Sequence, residues 1–380
     1  MRAGMPNETA RAFNFGAGPS ALPLPVLEQA GRALIDFDGS GIGIAEISHR
    51  SKEFVAFVRK LEDQIKNQLA VPDTHAILLT QGGGTGQFSA VVLNMLARHH
   101  LLYPDLSEDQ RKLDYIVTGS WSKKAQEEAR RLGRGVVNTV VDAREHSEIG
   151  KRFDRIPPHE AFKFSEDPAL IYYCENETVD GVQFAGDESA PTALPFHIID
   201  KLKSANKLLP LVADYSSSFM ARPIPRIADH AIIYAGAQKN LGPAGLTILI
   251  VRKDCIVDVD AAAKLGAAPV PITMAYNTLF DSGSLYNTPS VVPIYIAGLV
   301  LEHMDVRGGI PYYEYLNREK QELVYETLEH GEFEGVFKLK VKSGSRSWMN
   351  ATFDVLGEGA EKRFLDGAQK EGMKGLAGHR

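Results

Sequence analysis

The stretch Ile77-Leu-Leu-Thr-Gln-Gly-Gly-Gly-Thr-Gly-Gln-Phe88 joins a short apolar run to a cluster of four glycines. This pattern predicts a buried strand that leads through a glycine loop into a helix starting near Gln87. Glycine lets a ligand approach the backbone closely, and the first N–H groups of a helix are free to bind an anion. The spacing fits neither the dinucleotide fingerprint nor the P-loop, because no lysine follows the last glycine. The stretch therefore indicates either a phosphate site of another kind or a turn that only lets a helix and a strand pack.

Short apolar runs like the one at residues 77–79 recur along the chain and alternate with helical patterns. This alternation predicts an α/β fold with a mainly parallel, seven-stranded sheet. The other runs lie at residues 115–117, 136–137, 170–173, 211–212, 232–234 and 246–251.

The length of 380 residues exceeds what one hydrophobic core normally supports, so we expect two domains. The strand–helix alternation loosens after about residue 290. A helical pattern near residues 312–328 and strand-like runs at 337–341 and 349–355 follow. We expect a large domain over residues 17–300 and a smaller α+β domain over residues 301–380, which also includes the N-terminal segment 1–16.

The composition argues against several classes of protein. A net charge of -6 gives no basic footprint for nucleic acid or an anionic membrane, and no apolar run is long enough to span a bilayer. The two cysteines, Cys174 and Cys255, are too few for a disulfide framework or a cysteine zinc site. We therefore expect a cytoplasmic protein that acts on small molecules, without a metal, nucleic-acid or membrane partner.

Two charged residues follow neighbouring apolar runs. Asp214 closes the run at residues 211–213, so we expect it at the carboxyl end of a strand, where open α/β sheets bind ligands. Lys239 lies in a short loop among glycines and small residues. Such surroundings lower the pKa of an ammonium group and favour the free amine that attacks an aldehyde. Taken singly, Asp214 is more often a helix cap and Lys239 a solvated side chain, but together with the glycine loop they indicate a site.

These three elements meet the requirements of pyridoxal 5'-phosphate (PLP) chemistry: an amine for the aldehyde, an acid that keeps the pyridine nitrogen protonated, and a cradle for the phosphate. We therefore predict that Lys239 holds PLP as a Schiff base and that Asp214 faces the ring nitrogen. Trp121 follows the strand predicted at residues 115–118 and is a candidate for stacking on the ring, although a place in the core is the common alternative.

Several motifs resemble those of the phosphoserine aminotransferase family, which belongs to the class V, fold-type I aminotransferases. They are Phe13-Asn-Phe-Gly-Ala-Gly-Pro-Ser20, Glu46-Ile-Ser-His-Arg-Ser51, the glycine loop, Cys174-Glu-Asn-Glu-Thr178, Tyr234-Ala-Gly-Ala-Gln-Lys-Asn240 and Leu285-Tyr-Asn-Thr-Pro289. The resemblance runs from about Phe13 to the last residue. It implies transfer of an amino group from L-glutamate to 3-phosphohydroxypyruvate, giving O-phospho-L-serine and 2-oxoglutarate in L-serine biosynthesis.

The resemblance also implies the roles of individual residues. Lys239 and Asp214 are the implied catalytic residues, and both also bind the cofactor. The other implied cofactor contacts are Gly84 and Thr85 through their backbone amides, Gln238 at the phosphate, Thr178 at the ring hydroxyl, Trp121 by stacking, and Asn287 and Thr288 at the phosphate of the other subunit. The last two imply a homodimer. The implied substrate-binding residues are His49, Arg50, His379 and Arg380, and arginine suits this role because its planar fork binds oxyanions through two parallel hydrogen bonds.

Two features depart from the family pattern. Thr85 occupies a position that is often arginine in bacterial members. The family usually continues beyond the Gly-His-Arg that ends at Arg380, into a segment with a further arginine for the substrate carboxylate, a strand and a helix. We therefore expect weakened substrate binding and an exposed, loosely packed small domain.

Two alternative functions remain open. The chain could be an impaired member that acts only as a binding or scaffold protein, or it could be another class V aminotransferase. A cysteine desulfurase needs a mobile nucleophilic cysteine, and neither Cys174 nor Cys255 is well placed for that role.

Overall fold

A computed structural model describes residues 11–202 and 208–378. Its helices are α1 Leu24–Ala33, α2 Lys52–Gln68, α3 Gly83–Leu102, α4 Ser120–Leu132, α5 Phe196–Ile199, α6 Val259–Lys264, α7 Tyr276–Asp281, α8 Val291–Val306, α9 Gly309–Phe333 and α10 Ala360–Lys370. Its strands are β1 Phe13–Asn14, β2 His75–Thr80, β3 Lys112–Val117, β4 Val136–Asp142, β5 Leu170–Cys174, β6 Asn176–Glu177, β7 Val182–Gln183, β8 Leu211–Asp214, β9 His230–Gly236, β10 Thr247–Arg252, β11 Phe337–Leu339, β12 Phe353–Val355 and β13 Met373–Lys374.

The central sheet of the described residues has seven strands in the order β2-β10-β9-β8-β5-β3-β4. Neighbours from β9 through β4 pair in parallel, whereas β10 pairs antiparallel with both β2 and β9. Every strand except β10 therefore points the same way. The predicted α/β fold with a mainly parallel, seven-stranded sheet is confirmed, and each of the seven apolar runs is a strand of it.

The sheet is buried on both faces, which explains why its strands are continuously apolar rather than alternating. One face, with Tyr173, Ala213 and Ile233, packs in a core that also contains residues of α1, α2 and α8. The opposite face, with Tyr172 and Val212, packs in a second core together with residues of α3 and α4.

The helix after the glycine loop begins at Gly83, so the predicted start near Gln87 is wrong by about one turn. The N-cap residue Gly82 has a φ of 97°, a left-handed conformation that favours glycine. The backbone N–H of Gly83 donates to Oγ1 of Thr247 on β10 at 2.8 Å. This tertiary contact fixes the turn despite the low helix propensity of glycine. As a result Gly84 and Thr85 lie in the first turn of α3.

The C-terminal part of the chain contains two small sheets beside the long helix α9. β11 pairs antiparallel with β12, and β1 near the N-terminus pairs in parallel with β13. The boundary expected at residue 300 falls inside α8, which packs against α2. α10 has no buried residue, and Phe333 is 91% exposed. Across the described residues, no helix combines the length and the apolar character needed to cross a bilayer.

Candidate active site

The carboxyl ends of β2, β3, β5, β8 and β9 meet at one edge of the sheet because these strands share a direction. Five predicted site residues lie at or just beyond these strand ends. They are Gly84 after β2, Trp121 after β3, Thr178 after β5, Asp214 at the end of β8 and Lys239 after β9. This edge is where open α/β sheets bind ligands, so the topology alone gathers these residues.

Asp214 is a buried carboxylate next to the start of α3. Its Oδ1 accepts the backbone N–H of Ser216 at 2.8 Å. Burial raises the pKa of Asp214, while hydrogen bonds from Ser216 and Tyr234 and the nearby charge of Lys239 act in the opposite direction. A Cβ built on Gly84 would lie 3.6 Å from Oδ2 of Asp214, so the glycine loop approaches the carboxylate directly. Such a carboxylate gains most from a cationic partner.

Lys239 is half-buried in the loop between β9 and β10. Burial lowers the pKa of its ammonium group, and the charge of Asp214, at the end of the neighbouring strand β8, opposes this shift. The N-terminal segment lies directly over the lysine. The hydroxyl of Ser20 donates to the carbonyl of Lys239, and the N–H of Ser20 donates to the carbonyl of Gln238 at 3.1 Å.

Trp121 lies in the first turn of α4, and two carboxylates hold that turn. Glu177 accepts the backbone N–H of Trp121 at 2.8 Å and that of Ser122 at 2.9 Å. Asp180 accepts the N–H of Ser120 at 2.6 Å. Negative groups are favoured at a helix N-terminus, where the first N–H groups lack partners within the helix. Glu177 is fully buried, and burial raises its pKa to about 7.

The segment that holds α4 also carries Thr178. Thr178 is half-buried and directly follows Glu177, at the start of the turn between β6 and β7. Gly119 permits this arrangement, because a Cβ there would lie 2.3 Å from Cδ of Glu177. Nε1 of Trp121 is buried and has no hydrogen-bond partner among the described residues.

Three further predicted cofactor contacts lie in loops: Gln238, Asn287 and Thr288. Gln238 is half-buried beside Gly236. Asn287 and Thr288 are exposed, and the carbonyl of Thr288 accepts from Nε2 of Gln81 at the glycine loop at 3.4 Å.

The predicted substrate-binding residues His49 and Arg50 lie in the turn that precedes α2. His49 is buried, which lowers its pKa, with the neighbouring charge of Arg50 acting in the same direction, whereas the Arg50 side chain is exposed. No hydrogen bond joins either side chain to Lys239 or Asp214 within residues 11–202 and 208–378. His379 and Arg380 lie outside the described residues.

Comparison with known protein families decides which family this site belongs to. The sequence profile "Aminotransferase class-V" matches residues 12–379. The chain belongs to the class-V aminotransferase family.

Curated relatives of this class-V aminotransferase carry the name phosphoserine aminotransferase. The protein of that name from Ectopseudomonas mendocina is 36% identical over 370 residues, which is 97% of this chain and 90% of the relative. The one from Azotobacter vinelandii is 35% identical with the same coverage.

Solved structures agree with the fold. The phosphoserine aminotransferase from Bacillus circulans subsp. alkalophilus is 31% identical and superimposes with a TM-score of 0.82 over 98% of this chain and 91% of its own. A PLP-bound phosphoserine aminotransferase from Trichomonas vaginalis is 31% identical, with a TM-score of 0.80 over 97% of this chain and 92% of its own.

The class-V aminotransferases use PLP, and the residues at the sheet edge fit this cofactor. Asp214 is a buried carboxylate, which suits a protonated ring nitrogen. Lys239 is a desolvated amine, which suits an aldehyde. The backbone amides of Gly84 and Thr85 lie in the first turn of α3, where an anion is favoured.

Several residues that shape this edge were not predicted from the sequence. Glu177 and Asp180 hold the turn with Trp121, Thr247 holds Gly83, and Tyr234 bonds Asp214. The sequence offered a signal for two of these residues. Glu177 precedes Thr178 in the motif at residues 174–178, and Tyr234 is the first residue of the motif that contains Lys239. Thr247 gave no local signal, because its contact depends on β10 lying beside β2.

Proposed function

We propose that this class-V aminotransferase is a phosphoserine aminotransferase. It transfers the amino group of L-glutamate to 3-phosphohydroxypyruvate and yields O-phospho-L-serine and 2-oxoglutarate in L-serine biosynthesis. The observation that carries this proposal is the proximity of a desolvated Lys239 to the buried Asp214, at the sheet edge where α3 begins. The names of the curated relatives support the choice of substrates.

In this proposal PLP, when bound, supplies an aldehyde that takes up amino groups and a protonated ring that withdraws electrons. Lys239 supplies the amine, and its lowered pKa increases the share of neutral Nζ that can accept a proton from a substrate carbon and return it. The Asp214 carboxylate would accept a hydrogen bond from the protonated ring nitrogen. The amides of Gly84 and Thr85, with Gln238, hold the phosphate.

The other proposed contacts orient the ring and the substrates. Trp121 would stack on the ring, and Thr178 would form a hydrogen bond with the ring hydroxyl. His49 and Arg50, with the terminal pair His379 and Arg380, bind the phosphate or distal carboxylate of the substrate. L-glutamate and 3-phosphohydroxypyruvate use this one site in turn, so ping-pong kinetics are expected.

We also propose a homodimer in which Asn287 and Thr288 reach the cofactor phosphate of the other subunit. The exposure of both residues and of the neighbouring Tyr286 supports this assembly. Mixing Lys239→Ala and Asn287→Ala subunits tests it: mixed dimers contain one intact site if Asn287 acts across the interface, and activity then returns. If Asn287 acts within its own chain, every mixed dimer has two damaged sites and stays inactive.

The division into domains and the cytoplasmic location remain proposals. The pairing of β1 with β13 supports grouping the N-terminal segment with residues 301–380 rather than with residues 17–300. The two cysteines are free and buried, which is compatible with a reducing compartment.

The central experiment measures glutamate formation from O-phospho-L-serine and 2-oxoglutarate by the purified full chain. Lys239→Ala should lower kcat by at least about 10²–10⁴-fold, the contribution of a positioned acid–base group. It should also abolish the fixation of PLP to the chain by borohydride, read by mass. The exposed Lys264→Ala is the matched control.

Other outcomes distinguish the alternatives. Turnover of other amino acids but not of phosphoserine would indicate another class-V aminotransferase. PLP fixation without any turnover would indicate a binding or scaffold protein. Unchanged transamination by Lys239→Ala would refute the assignment of the site.

A further inference from the structure

The N-terminal arm, which we define as residues 13–20, connects the C-terminal part of the chain with Lys239. At its start, Phe13 and Asn14 pair with Met373 and Lys374 in the β1–β13 sheet. At its end, Ser20 bonds the backbone of the lysine loop. The arm is therefore anchored at both ends, although most of its residues are exposed to solvent.

Gly18 lies between these anchors and contacts the side chain of Lys239. A Cβ built on Gly18 would lie 2.3 Å from Cδ, 2.8 Å from Cε and 3.0 Å from Nζ of the lysine. Real Cβ atoms do not come this close, so the backbone of Gly18 lies flat against the methylene groups of Lys239. Its φ of 142° is also a conformation that other residues rarely adopt.

The backbone that presents Gly18 is itself fixed at close range. Gly375, just after β13, lies so near the arm that a Cβ there would be 2.5 Å from the backbone nitrogen of Gly16. On the other side of Gly18, the hydroxyl of Ser20 donates to the carbonyl of Lys239. The arm thus contacts the lysine through both its side chain and its backbone.

We propose that Gly18 is a positioning residue for Lys239. The arm fixes the direction of the lysine amine because the Gly18 backbone, which carries no side chain, packs against the methylene groups of the lysine. This inference rests on the proposed function of Lys239. A lysine side chain is a flexible chain of four carbons with rotatable bonds, so without such a contact its amine samples many directions. The arm also covers the lysine from solvent, which fits the desolvation that lowers its pKa.

The test compares Gly18→Ala with Gly39→Ala in the full chain. Gly39 also has a positive φ, 76°, but a Cβ there would meet nothing within 4 Å. Both variants place alanine at a positive φ, with more backbone strain at 142° than at 76°, and only Gly18→Ala adds a methyl group against Lys239. The lysine-reactivity readout and Ser20→Ala separate the contact from the strain.

We expect Gly18→Ala to lower kcat by about 10²-fold, the loss associated with a displacement of about 1 Å in a reacting group. A second readout needs neither cofactor nor activity: the reactivity of Lys239 towards an acylating reagent in the cofactor-free chain, followed against pH by peptide mass. The midpoint should move towards the ordinary lysine value, because the displaced amine meets more water. Gly39→Ala should match the wild type in both measurements, and equal behaviour of the two variants would overturn the proposal.

Ser20→Ala keeps the inference testable if Gly18→Ala does not fold. It removes the hydroxyl that bonds the Lys239 carbonyl without straining the backbone, so the same shift in lysine reactivity should appear at smaller size. An unchanged profile in Ser20→Ala would then refute the role of the arm. The failure of the proposed function has a different signature, because Lys239→Ala would then transaminate normally whatever Gly18→Ala does.

Discussion

Glu177 holds the backbone of Trp121: its Oε2 accepts the Trp121 N–H at 2.8 Å. The same side chain directly precedes Thr178 in the chain. The residue proposed to stack on the cofactor ring and the residue proposed to bond the ring hydroxyl are therefore fixed relative to each other by one buried carboxylate.

Replacing Glu177 with glutamine should loosen Trp121 and weaken cofactor binding. A glutamine side chain offers one acceptor oxygen, whereas the N–H groups of Trp121 and Ser122 need two. A buried N–H left without a partner costs about 1–3 kcal/mol, which corresponds to roughly a tenfold loss or more in PLP affinity if it falls on the bound state. Titration of the variant with PLP measures this. The exposed Glu160→Gln is the control, and equal affinities for the two variants would contradict the role of Glu177.

Glu177 should also destabilise the fold as the pH rises. Burial raises its pKa in the folded chain to about 7 from an ordinary 4.5, so the folded state binds more protons than the unfolded state between these values. The contribution of Glu177 to the free energy of unfolding therefore falls from about pH 4.5 to about pH 7. Urea unfolding at several pH values should show that this decline disappears in Glu177→Gln. An identical pH dependence in wild type and variant would contradict the raised pKa.

Thr247→Val should weaken PLP binding through the glycine loop. Valine keeps the shape of threonine but removes Oγ1, which accepts the N–H of Gly83 at 2.8 Å. Loss of this bond costs about 1 kcal/mol and frees the turn that presents the amides of Gly84 and Thr85. We expect the affinity for PLP to fall about fivefold. Thr80→Val changes the residue opposite Thr247 in the sheet and serves as the control; it should bind PLP normally.

Tyr234→Phe should shift the acid limb of the pH–rate profile upwards. The Tyr234 hydroxyl bonds the Asp214 carboxylate and contacts the Tyr172 hydroxyl at 2.7 Å. Removing it withdraws a bond that lowers the pKa of Asp214, so this group ionises at higher pH. Tyr115→Phe is a matched control, since the Tyr115 hydroxyl is buried and has no partner among the described residues. If Tyr234→Phe and Tyr115→Phe gave the same pH–rate profile, Tyr234 would not control the pKa of Asp214.

Arg222→Met should strongly destabilise the chain. Arg222 and Glu175 form a buried ion pair at 2.6 Å, with 7% and 3% of the side chains exposed. Removing the arginine leaves a buried uncompensated carboxylate, at a cost of about 3–5 kcal/mol. Denaturant unfolding measures this cost, and adding Glu175→Gln should recover much of it. The exposed pair Lys362–Asp366 provides the control, for which Lys362→Met should cost no more than about 1 kcal/mol.

The fold was largely predictable because its signal is local. The central strands of the sheet are buried on both faces, so runs such as residues 170–173 and 211–212 stand out as continuous apolar segments. The positions of Asp214 and Lys239 follow from the same signal, since Asp214 closes one such run and Lys239 lies in the short loop after the next. The start of α3 was missed because the contact that fixes it comes from Thr247, far along the chain.

The contacts that hold Trp121 and Lys239 in place could not be predicted, because they depend on which strands and segments lie side by side in the fold. Glu177 reaches the N-terminus of α4 only because β5 lies beside β3. Gly18 reaches Lys239 only because the arm crosses from β13 to the lysine loop. Neither arrangement leaves a periodic pattern in the sequence. The proposed roles of the individual site residues remain predictions for the experiments above.

The antiparallel direction of β10 bears on the order in which the site assembles. Because β10 returns beside β9, the lysine loop at residues 237–246 closes a hairpin between neighbouring strands. Closing so short a loop costs less chain entropy than docking β2 from a distant part of the sequence, and local contacts generally form sooner. We therefore expect the lysine turn to form before the glycine loop docks beside it.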